Sequence, residues 1–278
     1  MPLCIRSGQT VPMHRLAALL ALLMLVAAAR QTAADTPATS ASVKSPAKIN
    51  PEHPLAPALD QAYKAREALD AIADYEAFFE KRERIGRRLI TSKMNLKVRE
   101  SPFSVYLLFH EPNEGREVIY VDGKNNGMLM AHETGIKSIV GTVSLAPTSD
   151  SAMDGNRYPV TMIGMRKLLE QVISQWEEEG KYGETEVKYY PGAKLGETEV
   201  KAIESKHPQP RKQFKFHMTR LYLDKQTNLP VRVEQYDFPQ KGDKSPPIVE
   251  EYTYSRLKTN VGLTDRDFDT KNPNYAFP

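Results

Sequence analysis

Histidine is the side chain best suited to proton transfer or metal ligation near neutral pH, and beyond residue 34 this chain holds five: His53, His110, His132, His207 and His217. None forms an H-x-x-x-H pair, the spacing that sets two imidazoles on one helical face. His110 and His132 are each followed by an acid, Glu111 and Glu133. On neighbouring strands they would make a small acid–base or metal pair; strand-end histidines facing water explain the pattern more simply. Asp265, Asp267 and Asp269 begin like a calcium loop, but Thr270 stands where the turn glycine belongs and Ala276 where the last acid belongs. Ser45 and Lys48 spell S-x-x-K inside a stretch rich in Pro, Ala and Ser, which gives an acyl-transferring serine no rigid seat. The nucleophile elbow, the P-loop and the dinucleotide fingerprint are missing. The pattern assigns no catalytic residue, no metal and no cofactor.

What the sequence does carry is hydrophobic patterning. Between residues 89 and 145, apolar runs at 94–99, 103–110, 117–121, 128–132 and 139–145 are separated by Pro, Gly and Asn. Side chains alternate across a strand, so Phe103, Val105, Leu107 and Phe109 share one face while Tyr106 and Leu108 load the other. A sheet that is apolar on both faces must be covered twice or curl around something apolar. Gly123 and Gly127, with Asp122, Asn125 and Asn126, read as hairpin-turn residues that tolerate positive φ.

The first 34 residues contain Arg6, Arg15 and Arg30, no acid, and an apolar run over 16–29. This is the pattern of a secretory signal peptide, with small residues suiting cleavage after Ala29 or Ala34. Its apolar core is short for a bilayer span. Cys4, the sole cysteine, precedes that run, so the exported chain would have neither thiol nor disulfide. The leader also holds the whole formal charge of +3: without its three arginines, 35 basic residues face 35 acidic ones. A near-neutral chain without a basic stripe argues against nucleic-acid binding. The basic run Lys81, Arg82, Arg84, Arg87 and Arg88 is interrupted by Glu83 and reads as a solvated strand edge and turn.

Residues 35–54, rich in Ala, Ser, Thr and Pro, read as a disordered tether. The remainder, 55–278, fits one domain. Leu55, Leu59, Ala62, Tyr63, Leu69, Ile72 and Ala73 recur at helical spacing. Tyr75, Ala77 and Phe79 then alternate, predicting a strand that Gly86 breaks. A polar linker over 146–159 leads to a second helix, capped by Thr161 and ended by Gly180, whose apolar face is Met162, Met165, Leu169, Val172, Ile173 and Trp176. Strands resume at 185–190, 198–205, 214–224, 231–238 and 249–258, with a polar hairpin turn over 224–230. The word GETEVK occurs at 183–188 and again at 196–201, as two charged strand edges that discourage pairing. The sum is an antiparallel α+β domain of about eleven strands and two substantial helices, with the sheet curled.

Three stretches carry a resemblance: PFSVYLLFHEPNEGREVIYVDGKNNGMLMAHETG at 102–135, LYLDKQTNLPVRVEQYDFP at 221–239 and LTDRDFDTKNPNYAF at 263–277. Together they resemble a family of secreted bacterial proteins known as domain of unknown function 1571, which carries no established activity. More loosely, the order of strand, DG turn, strand and later LYLD hairpin is similar to the periplasmic lipoprotein carriers and sorting proteins of the Lol type. That resemblance implies an unclosed half β-barrel whose concave side is covered by helices and binds acyl chains. It implies a groove lined by Phe103, Val105, Leu107 and Phe109, with Tyr120 and Met130 from the strands that follow. Met165, Leu169, Val172 and Trp176 would then be its plug, and Arg99 the lid contact.

Three functions compete at this level. One is a carrier or sensor that binds a lipid, a lipoprotein acyl chain or another amphiphile, with Trp176 emission responding to the ligand. A second is an envelope module with a filled core that meets a protein partner. A hydrolase using His110 or His132 is the third.

Overall fold

The computed structural model describes residues 49–135 and 141–278. The leader and its cleavage sites, Cys4, the pair Ser45 and Lys48, the tether up to residue 48, and the start of the run at 139–145 lie outside the described residues. After helix α1 (Ala56–Asp70) come six strands: β1 (Asp74–Ile85), β2 (Arg88–Arg99), β3 (Ser104–Glu111), β4 (Glu117–Val121), β5 (Leu129–His132) and β6 (Thr142–Leu145). A short helix α2 (Asp150–Met153) and helix α3 (Met165–Glu179) follow, then β7 (Glu186–Leu195), β8 (Thr198–Lys206), β9 (Met218–Asp224), β10 (Pro230–Tyr236) and β11 (Ile248–Thr259).

All eleven strands form one antiparallel sheet in the order β6-β5-β4-β3-β2-β1-β11-β10-β9-β8-β7. Two meanders are thus stitched together where β1 pairs with β11, and β6 and β7 stay apart as free edges, so the curled sheet is an unclosed barrel. Helices α1 and α3 lie on its inner face. Met165, Leu168, Leu169, Val172, Ile173 and Trp176 form the buried stripe of α3, at the three-and-four spacing that a core-facing helix requires. They meet Leu59, Ala62 and Leu69 of α1 and the inward residues of β1 to β4, such as Tyr75, Phe79, Leu96 and Val105.

The outer face is apolar over β3 and β4, as Tyr106 and Leu108 foretold, and it has its own cover. Phe268 and Phe277 of the C-terminal segment pack with Tyr106, Ile119 and Val121. Tyr275 stacks on Tyr106 at 4.1 Å. The Glu117 carboxylate, buried between them, accepts from the Tyr106 hydroxyl (2.7 Å) and the Ala276 backbone N–H (2.7 Å). The sheet is covered twice.

Several sequence expectations need correction. Thr161 does not cap α3; it lies in a 3-10 turn at Val160–Met162, and the helix starts after Gly164. Gly164 has φ +112°, and a Cβ there would sit 3.1 Å from the Tyr75 hydroxyl. Only glycine lets the backbone pass so close, and the Met165 N–H donates to that hydroxyl at 2.9 Å. The basic run is not an edge, because β1 is central and Lys81 is buried, but Arg87 and Arg88 are exposed at the turn as expected. Of the two GETEVK words, the first leads into edge strand β7, whereas the second opens β8, which is paired on both sides. The last residues of the expected tether are ordered: His53 is buried, with its Nε2 2.6 Å from the Tyr182 carbonyl.

Candidate ligand cavity

The inward faces of β1, β2 and β11 form three cross-strand rows. Register places Met94, Phe79 and Tyr254 in one row, Ser92, Lys81 and Tyr252 in the next, and Ile90, Glu83 and Glu250 in the third. The first row is apolar, apart from the Tyr254 hydroxyl. In the next two, the same period-two alternation carries charge onto the buried face. Beyond them the β1–β2 turn brings Arg88 to the rim.

Between these rows and a strap of chain at residues 146–164 lies a cavity of about 350 Å³. Phe79, Met94, Leu107, Phe109, Val118 and Leu129 form its apolar side, bordered by the pair Arg116–Glu133, and Lys81, Glu83, Ser92, Asn156, Tyr158 and Tyr252 its polar side, with Arg88 and Asp154 also in the lining. Its cover is the strap, with Ala152, Asn156, Val160, Met162 and Ile163, together with Leu168 and Gln171 of α3. On the far side of Tyr158, Met162 and Gln171, an open groove of about 550 Å³ runs along α3.

The polar side is tied together and to the strap. Lys81 Nζ donates to Glu83 Oε2 at 2.7 Å and to Asn156 Oδ1. The Tyr252 hydroxyl donates to Glu83 Oε1 at 2.6 Å, and the Arg157 N–H reaches Glu83 Oε2 at 3.3 Å. Arg157 also holds Glu250 at 2.6 Å and the Arg84 carbonyl at 3.0 Å, and the Tyr158 hydroxyl lies 3.1 Å from both Glu250 oxygens. Burial pushes the Glu250 carboxyl up, opposed by the Arg157 guanidinium. It also pushes the Tyr252 and Tyr158 hydroxyls well above their ordinary value, reinforced by the Glu250 carboxylate. Both tyrosines are neutral donors at any physiological pH.

Of the residues expected to line a ligand groove, the structure places Leu107 and Phe109 on the wall of this cavity. Phe103, Val105 and Tyr120 share that inner face but pack into the core, Phe103 with its ring 6.3 Å from Tyr120. Met130 points to the outer face, against the cluster under the C-terminal segment. Met165, Leu169, Val172 and Trp176 are fully buried core. Trp176 Nε1 donates to Ser205 Oγ at 2.9 Å and does not line the cavity, so its emission is not a direct reporter of a ligand there.

Arg99 makes no lid contact, because Val98 takes the inward position and Arg99 the outward one. It binds Asp265 (2.8 Å) and Ser104 (3.0 Å) and lies over Phe268. The helix is tied instead by Arg166, which bonds to Asp70, Glu100 and the Leu69 carbonyl. His110 and His132 do not meet: β4 separates their strands, His110 stacks on Phe78 and His132 packs against Phe277. Their acids are engaged elsewhere, Glu111 by Lys93 and Glu133 by Arg116. Among the described residues, no three His, Cys, Asp or Glu side chains converge as a metal site would need. Nor is any described helix long and apolar enough to cross a membrane.

Sequence reasoning missed Lys81, Glu83, Asn156, Arg157, Glu250 and Tyr252. A signal for two of them was present. Continuing the inward parity of Tyr75, Ala77 and Phe79 lands on Lys81 and Glu83, charges that a buried face tolerates only when paired.

A family model described as "Protein of unknown function (DUF1571)" matches residues 72–277. No curated protein matches by sequence. Among solved structures, the chain is similar to the protein LprF from Mycobacterium bovis, with 11% identity over 76% of this chain and 97% of that one and a TM-score of 0.44. It is also similar to the lipoprotein LppX from Mycobacterium tuberculosis, at 12% identity over 77% and 99% and a TM-score of 0.43. A putative outer membrane lipoprotein-sorting protein domain from Vibrio parahaemolyticus shares 16% identity over 76% and 95%, with a TM-score of 0.37.

Proposed function

The chain belongs to the DUF1571 family, whose description carries no activity, and from the geometry of the cavity we propose that it is a non-catalytic envelope protein that holds a lipid, a lipoprotein acyl chain or another amphiphile beneath the strap. One observation carries the reading: a partly open cavity, apolar on one side and polar on the other, beside a continuous buried apolar core. Packed interiors leave few voids larger than a water molecule, and about 350 Å³ lies within the roughly 300–1,000 Å³ of small-molecule sites. An envelope module with a filled core has no use for such a space. Transfer from a membrane loses about 0.8 kcal/mol per methylene, which the wall of Phe79, Met94, Leu107 and Val118 regains. The leader supports a periplasmic or secreted location, with cleavage after Ala29 or Ala34.

The test is uptake of two fluorescent single-chain probes by the purified protein, one a fatty acid and one with an uncharged hydroxyl-bearing head, with the Leu107→Trp variant as the control that fills the cavity. Saturable uptake by the wild type, lost in a variant that still melts cooperatively, is the expected result. A wild-type protein that melts cooperatively yet takes up no probe would end this reading.

A further inference from the structure

We infer that the head of the ligand is uncharged and hydroxyl-bearing, as in a single-chain acylglycerol, and sits against the Lys81–Glu83 pair. This rests on the reading of the cavity as an amphiphile site. Lys81 is the inward step after Phe79 on β1, about 7 Å further along the strand, and Glu83 is the step after that. A chain lying on the row of Met94, Phe79 and Tyr254 therefore meets its head group at Ser92, Lys81 and Tyr252. The order is that of an amphiphile: hydrocarbon wall, then polar band, then the rim at Arg88.

Which head fits follows from charge. Lys81 and Glu83 are 2.7 Å apart, with side-chain exposures of 11% and 3%. The other charged residues of the lining are Arg88, Asp154 and the pair Arg116–Glu133 at 3.0 Å, so three positive and three negative side chains sum to zero; behind the wall Arg157 neutralises Glu250 at 2.6 Å. At the Lys81–Glu83 pair an incoming carboxylate or phosphate would lay an unpaired negative charge against Glu83, in a place where charge is poorly solvated. An ammonium head would do the same against Lys81. A hydroxyl brings no charge and both hydrogen-bonding roles. It can accept from Lys81, whose ammonium has three donors and uses two, and donate to the Glu83 carboxylate, which has about four acceptor sites. The cavity volume of about 350 Å³ lies near the small end of the range for ligand sites, which suits one chain rather than several.

The test compares a monoacylglycerol, a fatty acid and an alkyl amine of equal chain length at pH 8, each displacing a fluorescent single-chain probe. Wild-type protein should bind the monoacylglycerol at least about tenfold more tightly than either charged ligand. Glu83→Gln leaves Lys81 uncompensated and should move the preference toward the fatty acid by about tenfold; Lys81→Met should move it toward the amine by a similar factor. Should either single variant fail to fold, Lys81→Met/Glu83→Leu removes both charges at once and should bring the three affinities within about threefold. A wild-type preference for the fatty acid, or a ranking that none of these variants alters, overturns the head assignment while leaving an amphiphile site intact. Failure of all three ligands to displace the probe, or to bind at all, overturns the amphiphile site itself.

Discussion

Arg157 shows how much of this cavity depends on single side chains. It is the strap residue that neutralises Glu250, whose side chain is only 3% exposed, while its backbone N–H reaches Glu83. Burial raises the Glu250 carboxyl and Arg157 opposes that rise. A carboxyl raised above its unfolded value binds more protons folded than unfolded between the two, so its contribution to stability falls as pH rises through that window. Arg157→Ala removes the opposing charge, lifts the folded value further and leaves a buried carboxylate with Tyr158 as its remaining side-chain donor. Breaking such a pair should cost about 3 kcal/mol at neutral pH. The loss should shrink on acidification toward pH 5, as Glu250 takes up a proton. Chemical denaturation of both proteins at several pH values checks this; a penalty that stays constant from pH 5 to 8 would mean that Glu250 is not the group left exposed by the change.

At the scale of elements, the cover of the cavity and the packing of the core are separate jobs done by adjacent pieces of chain. Helix α3 is locked by its buried stripe and by Arg166, whereas the strap before it packs only partly buried side chains, Ala152, Val160 and Ile163, on the core and is tied to the sheet by hydrogen bonds from Lys81 to Asn156 and from Arg157 and Tyr158 to Glu250. Tyr158→Phe removes a bond worth about 1 kcal/mol and should speed ligand exchange about fivefold. Trp176→Phe, which loses the bond to Ser205, should lower the melting temperature and leave the exchange rate alone. Stopped-flow displacement with thermal melts separates the two, and faster exchange in the tryptophan variant would return the lid to the helix. The division was only partly legible in the sequence. The stripe of α3, its end at Gly180, the bounds of β4 and the hairpin at Asn228, where φ is +60°, follow from local rules of period and turn chemistry. The strap has no period to read, and its role depends on β1 and β11 being paired, a contact between residues more than 160 apart in the chain. The inward charges on β1 were visible as parity, but their partners on the strap were not.

For the molecule as a whole, the outer face of the sheet is protected in two ways. Over β1 and β11 to β8 it carries a ladder of alternating charge, Arg82 to Glu251, Arg232, Glu234, Arg220 and Glu204, each step between 2.6 and 3.5 Å. Over β3 and β4 it is apolar and depends on the C-terminal segment. Besides the Ala276 bond to Glu117, that segment is moored at three places. The Asp74 carboxylate accepts from the backbone N–H groups of Val261, Gly262 and Leu263. Asp265 binds Arg99 and Lys124, and Asp267 binds Lys97 and caps its own turn through Thr264. Hydrogen bonds from Arg99 and Lys124 hold the Asp265 carboxyl below its ordinary 3.8. Burial acts to raise Asp267, but the bonds from Lys97 and Thr264 outweigh it, and it too lies below 3.8. Carboxyls depressed in the folded state contribute stability that is present above about pH 4 and lost as pH falls through their folded values. Acid should therefore loosen this segment before the helix-covered face, where a buried apolar stripe outweighs the ion pairs of Arg166 with Asp70 and Glu100. Amide exchange along residues 263–278 should rise below about pH 4 while α1 and α3 stay protected. Replacing Phe268 by Ala should bring the same loosening at neutral pH, with a loss of about 3 kcal/mol or more. If the segment and α3 lose protection together at every pH, the two covers form one cooperative unit and the outer one has no acid response of its own.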